Sequence, residues 1–206
     1  MKKKILSTMM LCACMTAMAQ HAPGTVTVQP KVGLNITSLT DAEDTDPRFG
    51  VAAGAELEYQ VNSFFSISGG ALYSMQGLKG GDETGLTMKL DYINVPIMAN
   101  FYVVKGLALK AGIQPGFNVN SKLSASDGKV SGSVDMGDIT KTVDFSIPVG
   151  ISYEYKNFVV DGRYNLGLTK VFKDKELNVG GESLDFSGAD SKNSVFQFTV
   201  GYKFKL

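Results

Sequence analysis

The chain lacks most of the groups from which active sites are built. Its only cysteines, Cys12 and Cys14, lie within the first 19 residues. A mature chain that starts beyond them has no disulfide, no thiol nucleophile and no cysteine metal ligand. Tryptophan is absent and His21 is the single histidine. A Ser-His-Asp or Cys-His site therefore has no base in the body of the chain, and no His/Cys cluster offers a zinc site. His21 itself falls at the expected mature N-terminus, where a loose chain end is expected. After residue 19 there is no run of the ~20 apolar residues that a transmembrane helix needs, and helical periodicity is missing. Lys+Arg and Asp+Glu number 20 each; without Lys2, Lys3 and Lys4 the rest of the chain holds 17 basic against 20 acidic residues. That balance excludes the basic face of a nucleic-acid-binding protein. Gly80-Gly81 and Gly180-Gly181 lie outside the strand-to-helix context of a phosphate loop. Nothing calls for a cofactor.

The first segment has the form of a secretory signal. Lys2–Lys4 supply a positive start, Ile5 to about Cys14 a short apolar stretch, and Ala17-Met18-Ala19 an A-x-A cleavage site before Gln20. Residues 1–19 are thus expected to be removed, leaving residues 20–206 as one domain. The apolar run is too short for a membrane anchor. A second reading stays open: Leu11-Cys12-Ala13-Cys14 resembles a lipoprotein box in which Cys14 would be lipidated.

Alternation with period two is what the chain does have. Successive side chains of a strand point to opposite faces, and eight stretches follow this rule. They are about 26–38, 48–60, 64–76, 86–103, 107–121, 141–155, 158–169 and 193–206. In the last, Phe196, Phe198, Val200, Tyr202, Phe204 and Leu206 share one face, and Val195, Gln197, Thr199, Gly201, Lys203 and Lys205 the other. The fourth breaks the rule once. Met88, Leu90 and Tyr92 have one parity, whereas Ile93, Val95, Ile97, Ala99, Phe101 and Val103 have the other. A one-residue slip exchanges the two faces, so a β-bulge is expected near 92–94, next to Pro96.

The connections alternate long and short. Segments 39–47, 77–85, 122–140 and 170–192 are long and polar; 61–63, 104–106 and 156–157 are tight. An up-and-down barrel with both termini on one side sorts its loops in this way. The sequence therefore predicts an all-β, eight-stranded antiparallel up-and-down transmembrane β-barrel. A soluble, lipocalin-like barrel would place the apolar parity inside. Three features favour the inverted arrangement. Tyr59, Tyr73, Tyr102, Tyr153, Tyr155, Phe158 and Tyr202 lie near strand ends as an interface girdle would. The polar parity is rich in the small residues a narrow lumen admits. The strands are long enough to span the ~9–11 residues of a bilayer. In lipid the last strand must then pair with the first.

The inward parity holds Lys31, Glu56, Glu58, Lys110, Asp144, Glu154, Asp161, Arg163, Lys203 and Lys205. Two readings fit: ion pairs that fill the lumen, or a porin-like polar route for a solute or proton. Asp41, Glu43, Asp44 and Asp46 concentrate carboxylates in the first long loop. The twelve-residue calcium-loop pattern is missing there, which favours a solvated acidic loop.

Five stretches carry a resemblance. They are Gly50-Val-Ala-Ala-Gly-Ala-Glu-Leu-Glu-Tyr59, Gly69-Gly-Ala-Leu-Tyr-Ser-Met-Gln-Gly77, Leu90-Asp-Tyr-Ile-Asn-Val-Pro96, Gly150-Ile-Ser-Tyr-Glu-Tyr155 and Arg163-Tyr-Asn-Leu-Gly-Leu-Thr169. Together they resemble the PorT-like outer-membrane β-barrel family, over most of the chain past residue 19. The resemblance implies an outer-membrane barrel of a Gram-negative envelope and implies no reaction. The expected partners are outer-membrane lipid, the barrel-assembly machinery and a surface partner at loops 122–140 and 170–192. Three function classes follow: a structural or loop-displaying barrel without enzymatic activity, a small channel or secretion accessory, and a lipid-acting enzyme with a carboxylate–serine site.

Overall fold

The period-two pattern folds into thirteen strands in a computed structural model, which describes residues 21–40, 45–80, 86–126, 131–173, 176–179, 182–185 and 190–206. The expected signal segment, both cysteines, and Asp41, Glu43 and Asp44 lie outside the described residues. The strands are β1 (Val26–Leu39), β2 (Thr45–Gln60), β3 (Phe65–Gly80), β4 (Leu86–Asn94), β5 (Ile97–Val104), β6 (Leu107–Ser126), β7 (Ser131–Asp135), β8 (Val143–Tyr155), β9 (Phe158–Lys170), β10 (Glu176–Val179), β11 (Glu182–Asp185), β12 (Lys192–Tyr202) and β13 (Phe204–Lys205). β4 and β5 form one stave interrupted at Val95-Pro96, and β12 and β13 form another interrupted at Lys203. Each stave pairs antiparallel with the next. β1 meets β12 from Lys31↔Gly201 to Leu39↔Asn193, and β13 at Val28↔Phe204. The result is a closed barrel of eight staves. Closure leaves no ladder edge, which a lipid environment demands.

The tight turns lie at one rim with both described chain ends. Gly24 N donates to Gln60 O at 2.7 Å, and Leu206 N to Val26 O at 3.0 Å. Gly106 turns the chain between β5 and β6 at φ 81°. A Cβ there would meet Glu154 O at 2.4 Å, so both the backbone angle and the space require glycine. At the other rim the strands outrun the expected spans. β6 is 20 residues long, β7 folds back on it, and β10 and β11 form a separate hairpin within the fourth long loop.

Burial fixes which face is out. Outward positions carry Val32, Leu34, Phe49, Leu57, Phe117, Phe145, Phe158 and Phe198, all exposed. Inward positions carry Gln29, Lys31, Asn35, Glu56, Ser68, Asn100 and Arg163, all buried. A polar interior inside an apolar exterior is the inverse of a soluble barrel and is the arrangement of a membrane one. Tyr59, Tyr155 and Phe158 face outward near the turn rim, where the Phe158 and Tyr202 rings meet edge-on with centroids 5.0 Å apart.

Two expectations need correction. The fourth stave has its irregularity where expected: its register against β6 shifts between Asp91 and Tyr92. Parity does not slip, however. Even-numbered residues from Met88 to Tyr102 all point inward, and Ile93, Ile97, Phe101 and Val103 point outward. The extra residue belongs to β6, where Asn120 and Asn118 pair with Asp91 and Tyr92 and leave Val119 over. Met88, Leu90 and Tyr92 are therefore inward apolar residues. Tyr102 also leaves the girdle: it is 5% exposed and its hydroxyl donates to Glu58 inside the lumen.

Candidate functional site: the lumen and the loop-side rim

Strands β1, β2, β6 and β9 each aim charged side chains at one level of the lumen. Lys31 Nζ lies 2.8 Å from Glu56 Oε2 and 3.9 Å from Asp161 Oδ2. Lys110 Nζ lies 2.7 Å from Asp161 Oδ2 and 3.7 Å from Glu56 Oε2. Arg163 bridges both carboxylates, with Nη2 3.0 Å from Glu56 and Nε 2.8 Å from Asp161. All five are buried. Three cations thus share two carboxylates.

A second cluster lies toward the turn rim. Lys203 Nζ is 2.8 Å from both Glu58 Oε2 and Glu154 Oε2. Ser66 donates to Glu58 at 2.6 Å, and Tyr102 donates to it as well. His21 is docked here rather than loose: its Nε2 is 3.0 Å from Glu154 Oε1. Here one lysine serves two carboxylates, so the two clusters are unbalanced in opposite senses. Asp144 joins neither. It accepts from Asn193 Nδ2 at 2.9 Å and from Thr169. Lys205 pairs with the buried Thr27 but is itself exposed, at the turn rim. The expected inward charges therefore divide into a group of five, a group of three, one separate carboxylate and one residue exposed at the rim. Both clusters are ion-pair clusters, and Ser66 beside the second is fully buried with its hydroxyl donated to Glu58.

Three features were not read from the sequence. Arg48 pairs with Asp91 at 3.7 Å near the loop rim and donates to Gln76 O. Buried amides, including Asn35, Asn94, Asn100, Gln114, Asn165 and Gln197, fill the remaining inward positions. Above them Leu39, Met88, Leu90, Tyr92, Met136, Ile139, Val171 and Phe172 form an apolar plug. The turn at Met136–Thr140 folds into the mouth, held by Met136 N to Ser121 O at 2.9 Å and Lys173 N to Ile139 O at 2.7 Å. Between plug and ion pairs, a cavity lined by Gln76, Gln114, Asp144 and Asn165 holds about 10 Å³, enough for one water. Beyond the spanning strands, Lys170 donates to Asp190 and holds its carboxyl below the ordinary value. Asp190 is exposed, so this pair contributes little to stability.

Ile139 is 1% exposed. Ile139→Ala should cost the plug about 2–5 kcal/mol. Limited proteolysis should then cut within 131–142 faster while the barrel keeps its unfolding midpoint. A drop in that midpoint would show that plug and wall unfold together.

Residues 18–173 match the outer membrane protein beta-barrel domain, over most of the chain. The chain belongs to that family. Among solved barrels, Ail, the attachment invasion locus protein of Yersinia pestis, is similar at TM-score 0.50 and 14% identity, over 88% of this chain and 99% of that one. Neisserial surface protein A has TM-score 0.47 and 16% identity, over 90% and 100%. OprG from Pseudomonas aeruginosa has TM-score 0.45 and 10% identity, over 89% and 97%. No curated protein matches. Membership places this outer-membrane barrel's apolar belt in lipid.

Proposed function

We propose that this outer-membrane barrel is neither an enzyme nor a channel, and acts through its loop-bearing rim. The observation behind this reading is the filled lumen. Eight staves leave little more than side-chain room, and here that room holds two ion-pair clusters, a layer of amides and an apolar plug. Half of the plug comes from the bases of loops 122–140 and 170–192, through Met136, Ile139, Val171 and Phe172. Both loops are therefore anchored where a surface partner would meet them. Segments Tyr92-Ile-Asn-Val-Pro96 and Arg163-Tyr-Asn-Leu-Gly-Leu168 support a place among the PorT-like members. The A-x-A site supports removal of residues 1–19, and the closing strand supports insertion by the barrel-assembly machinery.

The purified barrel should be electrically silent in planar bilayers, and its membrane fraction should show heat-modifiable gel migration. Discrete conductance steps would sink the closed-lumen reading. Deleting the outer parts of loops 122–140 and 170–192 should abolish surface binding by cells that carry the protein. Unchanged binding would sink the loop-display reading.

A further inference from the structure

Among the described residues, Asp144 is the one buried carboxylate that takes part in no ion pair. It accepts hydrogen bonds from Asn193 Nδ2 at 2.9 Å and from the Thr169 hydroxyl. Two neutral donors do not cancel a charge, and a buried charge without compensation is costly. An ionised carboxylate offers about four lone-pair sites, so Asp144 can accept more.

Its surroundings are rich in oxygen. Gln76, Gln114, Asn165 and Asn193 line the cavity between plug and ion pairs together with Asp144. Each of these amides commits its nitrogen to another protein group. Gln76 donates to Ser74 at 3.1 Å, Gln114 to Ser146 at 3.2 Å and Asn165 to Gln197 at 3.4 Å. Asn193 donates to Asp144 and, at 3.2 Å, to the hydroxyl of Tyr92. What remains to the cavity is carbonyl oxygen. Asn165 is 3% exposed, and its Oδ1 has no hydrogen-bond partner among the described residues, an arrangement that costs free energy. Gly116 keeps the space open: a Cβ there would meet Asn94 Oδ1, another amide oxygen, at 2.7 Å.

Donors are used up, acceptors are left over, and one negative charge stands beside them. The complement is a small body with a single positive charge. Water would satisfy the oxygens and leave the charge. A divalent ion would overcompensate one carboxylate, and calcium sites draw on several. The cavity holds about 10 Å³, the lower bound for a single water, which suits a bare sodium ion better than the larger potassium.

We propose that this cavity binds one sodium ion, held by Asp144 and the side-chain oxygens of Gln76, Gln114, Asn165 and Asn193. Carboxylate and carbonyl oxygens are the ligands a hard cation takes. The ion also ties plug to wall, because Asn193 bridges Asp144 and Tyr92, a plug residue. The site stands whether or not the loop rim binds a partner.

The test uses the full barrel, refolded into non-ionic micelles at pH 8 in choline chloride with radiolabelled sodium, followed by equilibrium dialysis. Each barrel should hold one sodium, and potassium and calcium should each compete at least tenfold more weakly. Asp144→Asn and Asn165→Leu should each weaken sodium binding at least tenfold. Asp190→Asn, which removes an exposed carboxylate beyond the spanning strands, should bind as the wild type does. Heat-modifiable migration identifies the variants that fold, and either of the first two that does serves the comparison. No bound sodium in the wild type would overturn the proposal and leave a proton as the compensation for Asp144. Equal competition by potassium or calcium would overturn the choice of ion. Wild-type sodium binding by a folded Asp144→Asn or Asn165→Leu would overturn the site.

Discussion

Replacing Asp161 by asparagine should lower the unfolding free energy of the barrel by about 3–5 kcal/mol. Its side chain is 2.7 Å from Lys110, 2.8 Å from Arg163 and 3.9 Å from Lys31. Without it, three buried cations face Glu56 alone within contact distance. The amide preserves shape and volume, so the loss reports charge rather than a cavity. Removing Lys110 in the same chain, as Asp161→Asn with Lys110→Met, should restore part of the loss, because these two groups are each other's nearest partners. The coupling expected for groups in direct contact is about 0.5–3 kcal/mol. The measurement is the urea midpoint in micelles for the wild type, both single variants and the double variant. Strictly additive losses would show that the cluster does not act as an ion-pair network.

Deleting residues 202–206 should prevent assembly altogether, seen as loss of the heat-modifiable species and of membrane insertion. The segment removes three supports together. Lys203 is the cation 2.8 Å from both Glu58 and Glu154, and its loss strands two buried carboxylates. Pairing at Thr27↔Lys205 and Val28↔Phe204 disappears, which exposes backbone groups of β1 to lipid at several kcal/mol each. The edge contact of Tyr202 with Phe158 goes as well. Leu206→Phe, by contrast, should assemble normally, because Leu206 is 72% exposed. Normal insertion of the truncated chain would refute the role given to this segment.

The wall was legible because a membrane barrel writes one rule along every strand. Gln197 and Thr199 point in and Phe196 and Phe198 point out, as alternation requires. The rule reads side-chain class, and it fails where class and direction part. Met88, Leu90 and Tyr92 are apolar and point inward because they belong to the plug, so composition alone suggests a slip of parity that this stave does not have. Tyr102 has an apolar ring and a polar tip, which suits either an interface or a lumen; the carboxylate of Glu58 decided for the lumen. Apart from Asp161 with Arg163, two residues apart on β9, the lumen ion pairs were invisible because they join residues far apart in sequence, Glu56 with Arg163 for example. The plug did leave a signal. Met136 and Ile139 stand three apart and Val171-Phe172 adjoin, apolar pairs inside loops that otherwise read as polar.

The seam between β1 and β12 also has a meaning in time. Every other neighbouring pair of staves is joined through a single connection and can zip locally. The seam joins Lys31 to Gly201, so its closure spans nearly the whole chain. Long-range pairing of this kind slows folding, while the entropy of closing a loop grows only slowly with its length. The seam therefore forms last and is the place where the wall parts first. Interactions that form after the rate-limiting step of folding act mainly on the rate of unfolding. Point substitutions along Lys31–Leu39 and Asn193–Gly201 accordingly set how long an inserted barrel lasts, and hardly affect how fast it goes in.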